Sequence, residues 1–225
     1  MEKKTYKGYS FEVGIDEIDG ESPRGWGNLG YFITADRNYQ SPDQDDTLEN
    51  IVKEAGSQAS SCDEHIKMIR EELKDWDEKI LEIYPISKYE HGGISYSLGE
   101  SHGWDSGVVG FYIITDKTAK EIGVNTKDFE KVINQELRYY NQWVNGEVYN
   151  FYCEEINESC CGFYDLEQCE EEIKALIDSD IRDNGRKKRA IQEQKDQIAR
   201  FITSDNEKIA RHAKGIAKEL DKLSL

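Results

Sequence analysis

EHGGISYSLGESHGWDSGVVGFYIIT, residues 90–115, decides how this chain is read. Two β-prone runs, Ile94–Leu98 and Val108–Thr115, flank a loop of Gly, Ser, His, Trp and Asp. The pattern predicts strand, polar loop, strand: a sheet rim that presents chemistry to solvent. Two of the four His, one of the four Trp and six Gly fall inside it, so it is also the candidate site.

Working outward, Ile86–Glu90 reads as a further strand, as do residues 6–15 and Tyr31–Ala35. Helices are expected over Thr47–Ala59 and Asp63–Ile83. In the second, Ile66, Ile69, Leu73, Trp76, Ile80 and Ile83 recur at helical spacing, and Pro85 ends it. Downstream, Thr118 and Glu121 form the pattern of a capping box, and Thr126 is placed to cap a helix reaching Trp143. Phe129, Val132, Ile133, Leu137, Tyr140 and Val144 make its apolar stripe, and Gly146 stops it. Strands at Glu147–Glu155 and Cys160–Tyr164 precede a helix over Asp165–Ile177. This order predicts an α+β fold, a mainly antiparallel sheet packed with helices on one face, plus a C-terminal helical hairpin.

Composition changes after Ser179. Residues 180–225 hold 12 basic and 8 acidic residues, whereas the rest holds 17 basic and 38 acidic, within a net charge of −17. The division expected is an acidic α+β domain, 1–179, and a basic, coiled-coil-like tail, 180–225. Two tail helices join at Thr203–Ser204, the second capped by Ser204 and Glu207, with Ile209, Ala213, Ile216, Leu220 and Leu223 as a seam. That seam packs on the body or mediates homo-oligomerisation. Arg186–Arg189 is a basic run that either meets phosphates or forms a solvated helix face.

An acidic body repels nucleic acid and membrane surfaces and attracts basic partners, so direct nucleic-acid binding is not expected. The opening MEKKTYKGYS has no apolar core and no run approaches ~20 apolar residues, which predicts a cytoplasmic protein without a membrane contact. Cys62, Cys153, Cys160, Cys161 and Cys169 are then thiols. Their spacing lacks the C-x2-C knuckles of zinc modules, so buried small hydrophobes are expected and no metal or cofactor.

His91, His102, Asp105 and Ser106 allow three readings. A His acts as general base with Ser106 as nucleophile and Asp105 or Glu90 orienting it; the same groups hold a divalent metal; or Asp105 and Ser106 fold a turn that Trp104 anchors. No G-x-S-x-G elbow, P-loop, dinucleotide fingerprint or HExxH frame accompanies them. Arg24, Trp26 and Asn28, in a Gly-rich loop, suit a partner contact. The set expected to bind a partner or ligand is therefore Arg24, Trp26, Asn28, His91, His102, Trp104, Asp105 and Ser106, with no catalytic residue assigned.

The segments SPRGWGNLG (22–30), YEHGGISYS (89–97), WDSGVVGFYIIT (104–115), YYNQWVNGEVYNFY (139–152) and CCGFYD (160–165) are similar to motifs of an uncharacterised family encoded by bacteriophages and mobile elements. The likeness spans residues 8–177. Glu90 stands where that family tends to have Asp, Gly93 where Ser occurs, and ESHG replaces a Cys-Pro piece before WDSG. Those departures weigh against a catalytic Glu90.

The resemblance and the charge together imply a phage accessory protein of the counter-defence kind, an anti-CRISPR or anti-restriction inhibitor. It would cover a basic nucleic-acid-binding site on a host defence protein, DNA mimicry being one version. The rival expectation is a nucleotide-binding protein or enzyme. It requires the 22–30 and 99–107 loops to meet in one cleft.

Overall fold

Ser106–Thr115 forms strand β6, buried without a break from Gly110 to Thr115. A strand apolar on both faces needs cover on both. β6 pairs antiparallel with β3 (Tyr31–Thr34) on one side and β4 (Ile80–Glu90) on the other; β4 carries β5 (Ile94–Leu98), giving the order β3-β6-β4-β5. The structure, a computed structural model, describes residues 1–16, 21–36, 38–101, 103–203 and 206–223.

On one face, Leu48 and Val52 of α1 (Asp46–Gln58) and Ile69 of α2 (Cys62–Glu72) pack on Ile33, Phe111 and Ile113. On the other, α3 (Asp116–Ile122) and α4 (Phe129–Val144) bring Ala119, Phe129, Ile133, Leu137 and Tyr140 against Phe32, Tyr112 and Ile114. This sheet is thus covered twice, not once as the element order suggested. Gly110 makes the central pairing close: a Cβ there would lie 2.1 Å from Ile33 O. The outer edge of β5 is closed by side chains of Asn141 of α4 and of Asn145, its C-cap.

Three local expectations change. Ile80 and Ile83 belong to β4, because α2 ends at Glu72 and a 3-10 turn, Leu73–Asp75, follows. Their spacing fits a helix, but pairing with β6 buries both faces of the run and overrides it. Pro85 therefore lies inside a strand. Its carbonyl accepts from Gly99 N at 2.8 Å just beyond the end of β5, so the missing N–H faces no paired strand residue. The capping box is Thr115 with Thr118, rather than Thr118 with Glu121, and Thr126 sits in a 3-10 turn ahead of α4.

Residues 15–148 make this first compact unit; residues 1–14 and 149–225 make the second. In the second, residues 6–15 are not one strand. A hairpin, β1 (Glu2–Tyr6) and β2 (Tyr9–Ile15), joins β7 (Tyr149–Cys153) and β8 (Glu158–Phe163) in the order β1-β2-β7-β8. Helix α5 (Leu166–Ile202), capped by Asp165, packs Cys169, Ile173 and Ile177 on Phe11, Val13, Phe151 and Cys153. It runs straight through Ser179, so the boundary expected there falls inside one helix. The Arg, Lys and Gln residues after it are good helix formers, and one Gly185 does not break them. Helix α6 (Glu207–Lys222) returns along α5, burying Ala213 and Leu220 and pairing Asp221 with Lys195 at 2.6 Å. The C-terminal hairpin is present, and the fold is α+β. Asn206 caps α6; the Ser204 expected in that role lies outside the described residues.

The charge divides with the units. Residues 15–148 hold 27 acidic against 13 basic residues, a net of −14, and the other unit carries −3. No described helix is long and apolar enough to cross a membrane.

Candidate partner-binding rim

The two loops that a ligand cleft would need lie at opposite ends of β6. Tyr31 pairs with Ile113, so the 22–30 loop enters at the far end of the strand, whereas the 99–105 loop enters at Ser106. Along an antiparallel strand that separation is on the order of 24 Å. The cleft uniting Arg24 and Asn28 with Trp104 and Asp105 is not formed.

Arg24 turns inward instead. Its side chain is 4% exposed, and all its donors are used. Nε and Nη2 clamp the Asp43 carboxylate at 2.9 and 2.5 Å; Nη2 also donates to Gly30 O at 2.7 Å. Nη1 donates to Glu136 Oε2 at 3.0 Å and Asn28 Oδ1 at 3.1 Å. The Tyr112 hydroxyl donates to the same Glu136 oxygen. Burial opposes the Arg24 charge, but Asp43 and Tyr112 together outweigh it and raise the guanidinium pKa further; burial holds the Tyr112 phenol protonated, with Arg24 opposing and Glu136 adding to it. Asn28 Nδ2 donates to the carbonyls of Pro23, Arg24 and Trp26. Arg24 and Asn28 are therefore the clip that folds the 22–30 loop, a correction to their reading as rim contacts. Trp26 stays half exposed, edge-on to Tyr139 with centroids 6.4 Å apart.

At the opposite end, Trp104 stands wholly in solvent, at 105% of its reference exposure, and anchors none of the described residues. The turn beneath it is held by other groups. Glu90 N donates to Asp105 O at 3.2 Å, and Ser106 Oγ accepts from Gly103 N at 2.8 Å and shares a hydrogen bond with Ser101 Oγ at 2.9 Å. Tyr89, 47% exposed, pairs across the sheet with Ser106 and lies 6.3 Å from the His91 ring. His91 Nδ1 is 3.5 Å from Asp105 Oδ2, too long for a strong hydrogen bond and in the open. Among the described residues the Ser106 hydroxyl is partnered by Ser101 and Gly103, so no serine–histidine pair is assembled. His102 lies outside the described residues.

Sequence reasoning passed over the groups behind this rim. Ser106 lines a cleft of about 760 Å³ together with Cys62, His65, Lys88, Glu100 and Ser101. Lys88, 9% exposed, binds Asp36 at 2.5 Å and Glu90 at 2.9 Å and lies 4.3 Å from the Tyr39 ring centroid. Burial works against its charge and both carboxylates restore it, raising its pKa. Hydrogen bonds from Lys88 and from the Tyr39 hydroxyl, the latter at 2.7 Å, in turn depress Glu90. Lys88 is the one Lys or Arg among the cleft's described lining residues, and it is already neutralised, so the cleft opposes a phosphate. Burial, then Glu100, pushes the Cys62 thiol up to about 11. His65 is committed to structure: Nε2 bonds Val52 O at 2.8 Å and its ring meets Phe111 edge-on. A lysine directly after the β-prone run 83–87 (IYPIS) is the signal that marks this interior pair.

Cys153 and Cys169 are buried as expected, whereas Cys160 and Cys161 are exposed because β8 is the edge of its sheet. Comparison with protein-family models, curated proteins and solved structures gives no match.

Proposed function

We propose that this chain is an acidic inhibitor that docks on a basic, nucleic-acid-binding surface of another protein, with Trp104 as its anchor. The wholly exposed indole carries the reading, because an aromatic of that size left in water at a rim is the kind of group that interfaces bury at their centre. Tyr89 extends the apolar contact, and the exposed Glu100 and Asp105, close to Trp104 in sequence, supply carboxylates for Arg or Lys. The net −14 of residues 15–148 steers such a partner toward the rim. The similarity of the five sequence segments to a phage-encoded family supports a host defence nuclease or nucleic-acid-binding complex as the target.

The test is to titrate the purified chain into cleavage assays of purified defence nucleases at low and high salt. Stoichiometric loss of cleavage that weakens with salt and with Trp104→Ala supports the reading. Undiminished cleavage, together with no salt-sensitive stoichiometric partner from a defence-bearing lysate, rejects it.

A second reading rests on the 760 Å³ cleft, which has the size of a small-ligand site. With Lys88 and Asp36 neutralising each other, Glu100 is left on its wall, so it suits a cationic or neutral polar ligand rather than a nucleotide. Thermal shifts with polyamines set against nucleotides discriminate the two.

A further inference from the structure

The C-terminal hairpin leaves one apolar line in water. Ile209 and Ile216 of α6 and Leu223, its C-cap, recur every seven residues, so they drift only about 20° per step and stay on one side of the helix. None of the three is buried; Leu223, 71% exposed, and Phe201 of α5, 55% exposed, project furthest. Two hollows adjoin the line. One, of about 440 Å³, lies between Ile198 and Phe201 of α5 and Ile209 and Ile216. The other, of about 500 Å³, lies where Leu223 meets Ile181 and Ile191.

The unpaired charges bordering this line are of one sign. Lys187 and Lys188 line the second hollow, Lys208 the first, and Lys208 and Arg211 the groove beside Ile216. None of these four cations has an ion-pair partner among the described residues. Glu219, the one carboxylate among the described lining residues, is taken by Lys222 at 2.8 Å. The sequence repeats the bias, with 12 basic against 8 acidic residues over 180–225 in a chain of net −17.

An apolar line bordered by unpaired cations calls for a partner that is anionic at its surface and apolar beneath. Nucleic acid meets the cations but gives isoleucine and leucine no apolar medium. A protein partner needs a socket for each projecting side chain. An anionic leaflet supplies phosphates at the surface and hydrocarbon ~5–10 Å below, and it yields to whatever projects. We infer that the α5–α6 hairpin is a peripheral docking face for anionic lipid. Phe201, Ile209, Ile216 and Leu223 enter the acyl boundary, and Lys187, Lys188, Lys208 and Arg211 meet the headgroup phosphates. The acidic body opposes a membrane contact, but Ile202, at the tip, lies about 37 Å along α5 from Ile177, which packs on the sheet. That is several times the ~8 Å over which charges act at physiological salt. This contact is independent of the Trp104 rim.

Co-flotation of the full chain with phosphatidylcholine vesicles, with and without phosphatidylserine, tests it. The chain floats with the anionic vesicles, stays behind with phosphatidylcholine alone, and is released as salt rises from ~0.1 to ~1 M. Lys187→Gln combined with Lys188→Gln weakens binding by about 30-fold, since each cation at the surface contributes about fivefold. Leu223→Ser weakens it by about tenfold, and both variants keep the far-UV circular dichroism of the parent. A chain that does not float overturns the inference; dimeric by sedimentation velocity, it gives the apolar line to a second copy, and retained by duplex DNA, it gives the cations to nucleic acid. Flotation equal with neutral vesicles overturns it, as does flotation indifferent to Leu223→Ser, because the cations alone then account for binding.

Discussion

Asn141 gives Tyr96 both hydrogen bonds that a neighbouring strand would supply: Tyr96 N donates to Asn141 Oδ1 at 2.8 Å, and Asn141 Nδ2 donates to Tyr96 O at 2.9 Å. One turn later Asn145 does the same for Ile94, at 2.9 and 2.7 Å. Four helical residues rise about 6.0 Å and two strand residues about 6.8 Å, so asparagines at i and i+4 match alternate residues of β5. Gly93 is small because a Cβ there would lie 2.8 Å from Asn145 Oδ1. The helix thereby closes an edge that would otherwise template pairing with another chain.

Asn141→Ala leaves two half-buried backbone groups without partners and is expected to cost about 1–3 kcal/mol. Urea unfolding checks it, with Asn145→Ala, at the more exposed end, costing less.

Arg24→Met strands the Asp43 and Glu136 carboxylates beside a buried Tyr112, and a loss of about 3–5 kcal/mol is expected. Thermal and urea unfolding measure it. Arg24→Lys rescues only in part, since a lysine cannot clamp Asp43 through two nitrogens.

Trp104→Ala should leave stability within about 0.5 kcal/mol, because the indole is wholly exposed. Inhibition of the target is expected to weaken by about 30-fold or more, the loss typical of an interface anchor. The split between an unchanged melting curve and a lost inhibition curve is the readout.

Thiol labelling at pH 8 separates the cysteines. Exposed Cys160 and Cys161 should react first, Cys62, with its thiol near 11, far more slowly, and buried Cys153 and Cys169 after unfolding. Mass spectrometry of timed quenches reads the order.

Acid should loosen the unit built on β1, β2, β7 and β8. Lys4 and Lys174 hold the Glu170 carboxyl below its ordinary 4.5, and Lys7 holds Asp178 below 3.8. A carboxyl depressed in the folded state contributes stability above its unfolded pKa and loses it as pH falls through the folded value. The melting temperature is therefore expected to fall below about pH 4.5, and Glu170→Gln to flatten that slope, in melts from pH 6 to 3.

The apolar stripe of α4, the strand character of residues 108–115 and the fold class were legible because each rests on local periodicity or a largely apolar run. Ile80 and Ile83 were misread for the same reason: three-residue spacing suits a helix, and only pairing with β6 favours a strand. Ser179 drew a boundary from a change in charge, which helix propensity ignores.

The site separated along similar lines. The sequence alone determined that residues 90–115 present a polar loop between strands, since the Gly, Ser and Asp content that bends the loop is local. Whether a given polar side chain meets solvent or an opposite charge is a long-range matter. Arg24 and Trp104 both looked like surface contacts, but Arg24 finds Asp43 and Glu136, 19 and 112 residues away, and disappears into the core. Trp104 finds no such charge among the described residues and stays in water. The free energy that decides between those fates is desolvation set against a partner's charge, and that partner exists only once the chain has folded.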